Sequence, residues 1–342
     1  MAHETLAIIW FGLWGLIWAV YFMLDGYSLG TGMLFPFITK NEREERQLQE
    51  AIGPFWGSNE VWLITAGGAT FAAFPLTYAL MFSYLYTPLF LVLFGLFYRA
   101  AGLEFMHKHS TARWRAFWKG SFFAGSLVIA LIFGIAFANI FRGLPVDETG
   151  YHGNLLTLLN PYGLLGGVLF LSLFLLSGSL WTAFKTDGAV RQRAIGLGKG
   201  LWLVSVAVVA MFDVATANQT PIFDNYTEHP ALWLIPALSI GAVIAVGPLL
   251  RSERLGAAFA AVSLGIIGIM ATGFIGLFPN MLPSRLDPAF SVTLFDAAAS
   301  ELNLKIMFFI ALVAVPVVIA YQIWIYRIFK DKITSKNAQG YH

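Results

Sequence analysis

The chain has 342 residues, of which 58% are hydrophobic and 12% charged, and its mean hydropathy is +0.71. Soluble domains carry about 25% charged residues, so this chain lacks the polar surface to cover a soluble globule of its size, whereas spans of about 20 residues would allow roughly eight to ten membrane crossings. A net charge of +2 gives no reason to expect nucleic acid as a partner, and the lack of cysteine excludes disulfides, thiolate metal sites and c-type haem attachment.

The first apolar run is longer than a secretory h-region and has neither a basic n-region nor a small-residue cleavage site, which predicts a retained helix. In chain order, apolar stretches at 6–38, 55–75, 77–98, 118–140, 161–184, 200–218, 231–250, 255–278 and 304–327 predict an all-α integral membrane protein with nine transmembrane helices. Each can cross about 30 Å of hydrocarbon at about 1.5 Å per residue, the sixth only just. Only Phe74-Pro75-Leu76 separates the second stretch from the third, and a tight turn is predicted at Pro75.

Loop charges give an independent count. With the N-terminus outside, the cytoplasmic segments hold Lys40, Arg43 and Arg46; Arg99, Lys108, Arg113, Arg115 and Lys119; Lys185, Arg191, Arg193 and Lys199; Arg251 and Arg254; and Arg327, Lys330, Lys332 and Lys336. Those are 18 of the 21 basic residues, and only Arg142, Arg285 and Lys305 fall outside. The positive-inside rule then predicts nine crossings, with the N-terminus outside and the C-terminus cytoplasmic. Helices one and five would start on the same side, compatible with two four-helix bundles plus a peripheral ninth helix. A parallel half-repeat over 1–145 and 160–290 is suggested by Asn139-Ile140-Phe141 and Asn280-Met281-Leu282, with helix nine at 304–327. The chain reads as a single polytopic membrane domain, its longest hydrophilic stretches being 141–160 and 279–303.

The six histidines, His3, His107, His109, His152, His229 and His342, all fall in predicted loops or termini. Haem iron needs axial donors fixed inside a bundle, so no redox centre or metal site is expected in this chain alone. Carboxylates at membrane depth are functional candidates. Asp25 lies towards the cytoplasmic end of the first helix, and Glu60 about five residues into the second, roughly 7–8 Å from the same face. Two acids at similar depth could relay protons; their structural alternatives are capping of glycine-freed backbone by Asp25 and a helix start at Glu60. Asp213, near the outer end of the sixth helix, suits an interfacial or capping role. The glycines and most of the eleven tryptophans are read as packing and belt residues.

At these residues the sequence resembles subunit II of the cytochrome bd quinol oxidases. Leu24-Asp25-Gly26 with Leu29-Gly30 and Gly32-Met33-Leu34 is similar to that family's first-helix motif, and Pro54-Phe55-Trp56-Gly57-Ser58-Asn59-Glu60-Val61-Trp62-Leu63 to its second-helix signature. Leu159-Asn160-Pro161-Tyr162-Gly163, Phe278-Pro279 with Leu282-Pro283-Ser284, and Ser291-Val292-Thr293-Leu294-Phe295-Asp296 add matches in order, over about residues 6–326. The resemblance implies a heterodimer in the bacterial cytoplasmic membrane whose haem-bearing subunit I carries two b-type haems, one d-type haem and the quinol site, with a small single-helix subunit as a further partner. It implies oxidation of quinol, reduction of dioxygen to water, and protons taken from the cytoplasm without pumping. Subunit II would be haem-free, supporting subunit I and contributing to proton access, with oxygen access a further role. The family signature usually has an acid after the tryptophan, where this chain has Gly57 followed by Ser58; Glu60 or Asp25 would have to substitute. A secondary transporter and a purely structural assembly subunit are the alternatives, although neither inverted repeats nor paired broken helices are visible.

Overall fold

A computed structural model describes residues 2–334. The chain runs through α1 (His3–Ile38), α2 (Glu42–Ala73), α3 (Pro75–Tyr84), α4 (Tyr86–Phe105), α5 (Ala112–Arg142), α6 (Leu155–Leu158) and α7 (Pro161–Lys185). It continues through α8 (Gly188–Gln219), α9 (Asp224–Glu228), α10 (Leu234–Arg251), α11 (Leu255–Leu277), α12 (Leu294–Ala297) and α13 (Glu301–Ile328). Two small antiparallel pairs, β1 (Val146–Asp147) with β2 (Gly150–Tyr151) and β3 (Asn280–Leu282) with β4 (Val292–Thr293), occupy the two hydrophilic connections.

Among the described residues, eight helices are long and apolar enough to cross a membrane: α1, α4, α5, α7, α8, α10 with its leading turn, α11 and α13. The second predicted stretch falls on the second half of α2, which ends at Ala73, and the charged first turns and polar run Gly57-Ser58-Asn59-Glu60 of that helix keep it outside that group. Local chemistry sets the boundaries. The Asn41 side chain accepts the Glu44 N–H at the start of α2, and Asn160 does the same for Gly163 before Pro161 opens α7. Pro75 has no N–H to continue α2 and instead begins α3. The third stretch is broken again at Leu85, where Pro88 cannot donate to a carbonyl four residues back.

α1 is the central helix, packing against α2, α5, α7, α11 and α13. Its Trp18 and Phe22 interlock with Phe133 and Phe137 of α5 and, through Phe22, with Phe170 of α7. Where α1 crosses α7, Gly30 meets Gly178: a Cβ on Gly30 would overlap the Phe174 carbonyl, and one on Gly178 the Gly30 backbone. Gly134 of α5 and Gly166 of α7 approach in the same way. Small residues give membrane helices the close contact that the hydrophobic effect does not provide in lipid.

Two expectations are corrected. The third stretch does not stop at 98: α4 continues to Phe105, and Arg99, assigned to a cytoplasmic loop, is buried inside it. His3 is the first residue of α1 rather than part of a free terminus, with a ring nitrogen 2.9 Å from the Ala299 carbonyl. Of the other histidines, His107, His109, His152 and His229 do lie in connections. His342 and Lys336 are outside the described residues.

Candidate functional site: an acid–arginine cluster

α1 and α2 run antiparallel, and their hydrogen bonds fix the register. Trp14 Nε1 donates to Thr70 Oγ1 at 2.8 Å, and Asn59 Nδ2 donates to the Leu24 carbonyl at 2.9 Å. This register sets Asp25 and Glu60 at one level, as their predicted depths required. α4 supplies the third member. Its Gly95 and Gly102 let α5 come so close that a Cβ on Gly102 would strike the Trp118 carbonyl, while Gly125 of α5 faces the Arg99 backbone. The Arg99 side chain is thereby directed towards α1 and α2.

Arg99 binds both acids. Its Nη2 donates to Asp25 Oδ1 at 2.7 Å and its Nη1 to Asp25 Oδ2 at 2.9 Å, a two-pronged pair. Nη1 also donates to Glu60 Oε1 at 2.8 Å, and Nη2 to Ser28 Oγ at 2.7 Å. The side chains of Arg99 and Asp25 are 1% and 0% exposed, but that of Glu60 is 21% exposed. Charges out of water need partners, and here two carboxylates share one cation. The formal charge of the cluster is −1 with both acids ionised, and one added proton brings it to neutrality. Glu60 gives it an open side, and Asp25 is its enclosed end.

The other signature positions lie around this cluster. Ser58 Oγ turns back to the Phe55 carbonyl at 2.8 Å, and Trp56 is half-buried. Gly57 is exposed, and a Cβ there would meet nothing within 4 Å, so α2 presents a bare surface at this position. Asn59 is fully buried and joins three helices, because it also donates to Tyr27 Oη at 3.0 Å and accepts from Gln322 Nε2 at 3.1 Å. Asp213 stands apart on α8, half-buried beside a small hollow lined by Phe141, Ser239 and Thr272. Arg99 is the member of the cluster that charge counting hides. Its signal is local: Ala100-Ala101-Gly102-Leu103 continue the apolar pattern after it, so the helix does not end there.

Comparison with known proteins agrees with these motifs. Residues 6–329 match the family model for cytochrome bd terminal oxidase subunit II. The chain is 36% identical to "Probable cytochrome oxidase subunit 2" of Haemophilus influenzae, over 95% of this chain and 94% of that one. It is 33% identical to "Cytochrome bd-I ubiquinol oxidase subunit 2" of Escherichia coli K12, covering 98% and 97%. It is also 33% identical to "Cytochrome bd ubiquinol oxidase subunit 2" of Bacillus subtilis, covering 97% and 98%. The fold is shared with a chain of the bd oxidase from Geobacillus thermodenitrificans, with a TM-score of 0.79 over 95% of this chain and 98% of that one at 18% identity.

Proposed function

The chain belongs to the cytochrome bd terminal oxidase subunit II family, and on that footing we propose that its Asp25–Arg99–Glu60 cluster handles protons for the quinol oxidase of which it is a subunit. The observation that carries this role is the shared cation: two membrane-depth acids meet one guanidinium, with Glu60 open at the α2 surface and Asp25 enclosed. Such a cluster can accept a proton at Glu60 without adding charge to the interior, and Arg99 holds the Asp25 carboxylate in place beside it. Glu60 thus takes the part of the acid that the signature lacks at Gly57.

The complex oxidises quinol and reduces dioxygen to water, a reaction that consumes protons. The partner is a haem-bearing subunit I with two b-type haems and one d-type haem, and a small single-helix subunit completes the complex. The histidine positions support assigning the haems to the partner: His152, just after β2, pairs with Asp147 of β1 at 2.8 Å, and none of the described histidines projects from the middle of a long helix. α2 serves as the ninth crossing, since its residues beyond Gly57 pair along α1 at membrane depth. The basic residues other than Arg99 still favour a cytoplasmic C-terminus in the bacterial cytoplasmic membrane, with α13 peripheral to two four-helix bundles.

The test is Glu60→Gln and Asp25→Asn in the assembled oxidase. If Glu60 carries protons, quinol-dependent oxygen consumption falls at least about tenfold in Glu60→Gln while haem content is unchanged. Wild-type turnover in both variants would place proton delivery wholly in the partner.

A further inference from the structure

α13 is the least embedded of the long helices: only Leu304, Gln322 and Ile325 are buried along it. In lipid, helices associate through close packing and interhelical hydrogen bonds rather than through hydrophobic burial. A buried glutamine amide on such a helix is therefore informative. Gln322 Nε2 donates to Asn59 Oδ1 at 3.1 Å. One turn on, Tyr326 Oη lies 2.7 Å from Tyr27 Oη, which also accepts from Asn59 Nδ2 at 3.0 Å.

Asn59 thus spends its oxygen on α13 and its amide hydrogens on α1, at the Leu24 carbonyl and Tyr27. It is adjacent in sequence to Glu60, and Leu24 is adjacent to Asp25. The bonds that orient Asn59 are therefore the bonds that set α1 against α2 at the level of the two acids. The same end of α13 is pinned from below. Lys185 Nζ donates to the carbonyls of Phe329 and Asp331, Ile333 N–H donates to the Lys185 carbonyl at 2.8 Å, and Gln47 Nε2 donates to the Ile333 carbonyl at 2.7 Å. The Tyr326 ring packs 4.7 Å from the ring of Phe55, one turn before Asn59 on α2.

We propose that Gln322 and Tyr326 are positioning residues of the proton site. Acting through Asn59 and Tyr27, they hold α1 and α2 in the register that brings Asp25 and Glu60 onto the single guanidinium of Arg99. The inference rests on the proton role proposed above. It gives α13, exposed along most of its length in this chain, a part in turnover.

The experiment uses the assembled oxidase with Gln322→Met, Tyr326→Phe and, in parallel, Glu60→Gln and Asp25→Asn. The expected result for each α13 variant is a fall of about fivefold in kcat per haem, with unchanged quinol KM, haem spectrum and complex yield. The solvent deuterium isotope effect on kcat should also rise. Leu312→Ala, on the exposed face of the same helix, should behave as wild type. If the α13 variants lower complex yield while kcat per haem stays at wild type, α13 is structural only and the inference is overturned. Should Gln322→Met fail to assemble, Tyr326→Phe, which keeps the ring and removes only the hydroxyl, decides the matter alone. A slow Glu60→Gln beside wild-type α13 variants refutes positioning and leaves the proton role standing. Wild-type rates in both Glu60→Gln and Asp25→Asn remove the proton role, and the inference with it.

Discussion

Replacing Arg99 with methionine keeps most of the side-chain volume and removes the cation that, among the described residues, is bonded to both acids. Asp25, 0% exposed, then loses both of its guanidinium bonds, and Glu60 loses one. Removing one partner of a buried ion pair costs about 3–5 kcal/mol, because the charge left behind stays desolvated. The midpoint of thermal unfolding of the detergent-solubilised complex should therefore fall by roughly 5–10 °C. Arg99→Lys should lie between, since an ammonium cannot make the two-pronged contact with Asp25. The decisive variant is the triple replacement Arg99→Met, Asp25→Leu, Glu60→Met. A buried ion pair exchanged for apolar groups of similar volume is often neutral in stability, so the triple variant should recover most of the loss while remaining inactive. Wild-type stability for Arg99→Met, or a triple variant no better than the single one, would refute the electrostatic account of the cluster.

Gly30→Ala should separate α1 from α7 and cost about 1–3 kcal/mol, read as lower complex yield and an earlier thermal midpoint, whereas Gly57→Ala, facing open space, should leave both unchanged. His107, whose ring nitrogens are buried without a hydrogen bond, is held below the usual imidazole value by burial and by the nearby Arg46 and Arg115, against Glu45 and Glu42. Because the folded value is the lower one, the unfolded chain binds the proton first. Stability is full above about pH 6.5 and falls as pH drops below it; a scan of thermal midpoint from pH 7.5 to 5.5 should be steeper for wild type than for His107→Gln. Cysteines at Glu4 and Lys332 should label from opposite faces of intact membranes if there are nine crossings, and from one face if there are eight.

Much of this was legible in the sequence because the bilayer imposes long apolar runs that local composition reveals. The positions of the apolar stretches, the break at Pro75 and the similar depth of Asp25 and Glu60 all follow from residues close in the chain. Arg99 was not found because charge counting assumes that every cation lies in water, and its partners are 74 and 39 residues away. The break at Leu85 was hidden within a uniformly apolar stretch. Gln322 was overlooked because one amide barely changes the hydropathy of a 28-residue helix, although its pairing with Asn59 is what joins α13 to the site.

The cluster also constrains how the protein can be made. A ribosome delivers Asp25 first, then Glu60, and only 39 residues after Glu60 the cation that binds both. A lone carboxylate costs about 2.5–3.5 kcal/mol at the centre of an inserting helix and less nearer the face where Asp25 and Glu60 lie, yet an unpaired acid on each still disfavours release of α1 and α2 into lipid one at a time. They have to be retained beside the insertion machinery, or in a watery groove, until α4 emerges. Membrane integration of the N-terminal third is then a concerted event, and a nascent chain stalled before Arg99 should remain bound to the insertase while one stalled after α4 leaves it.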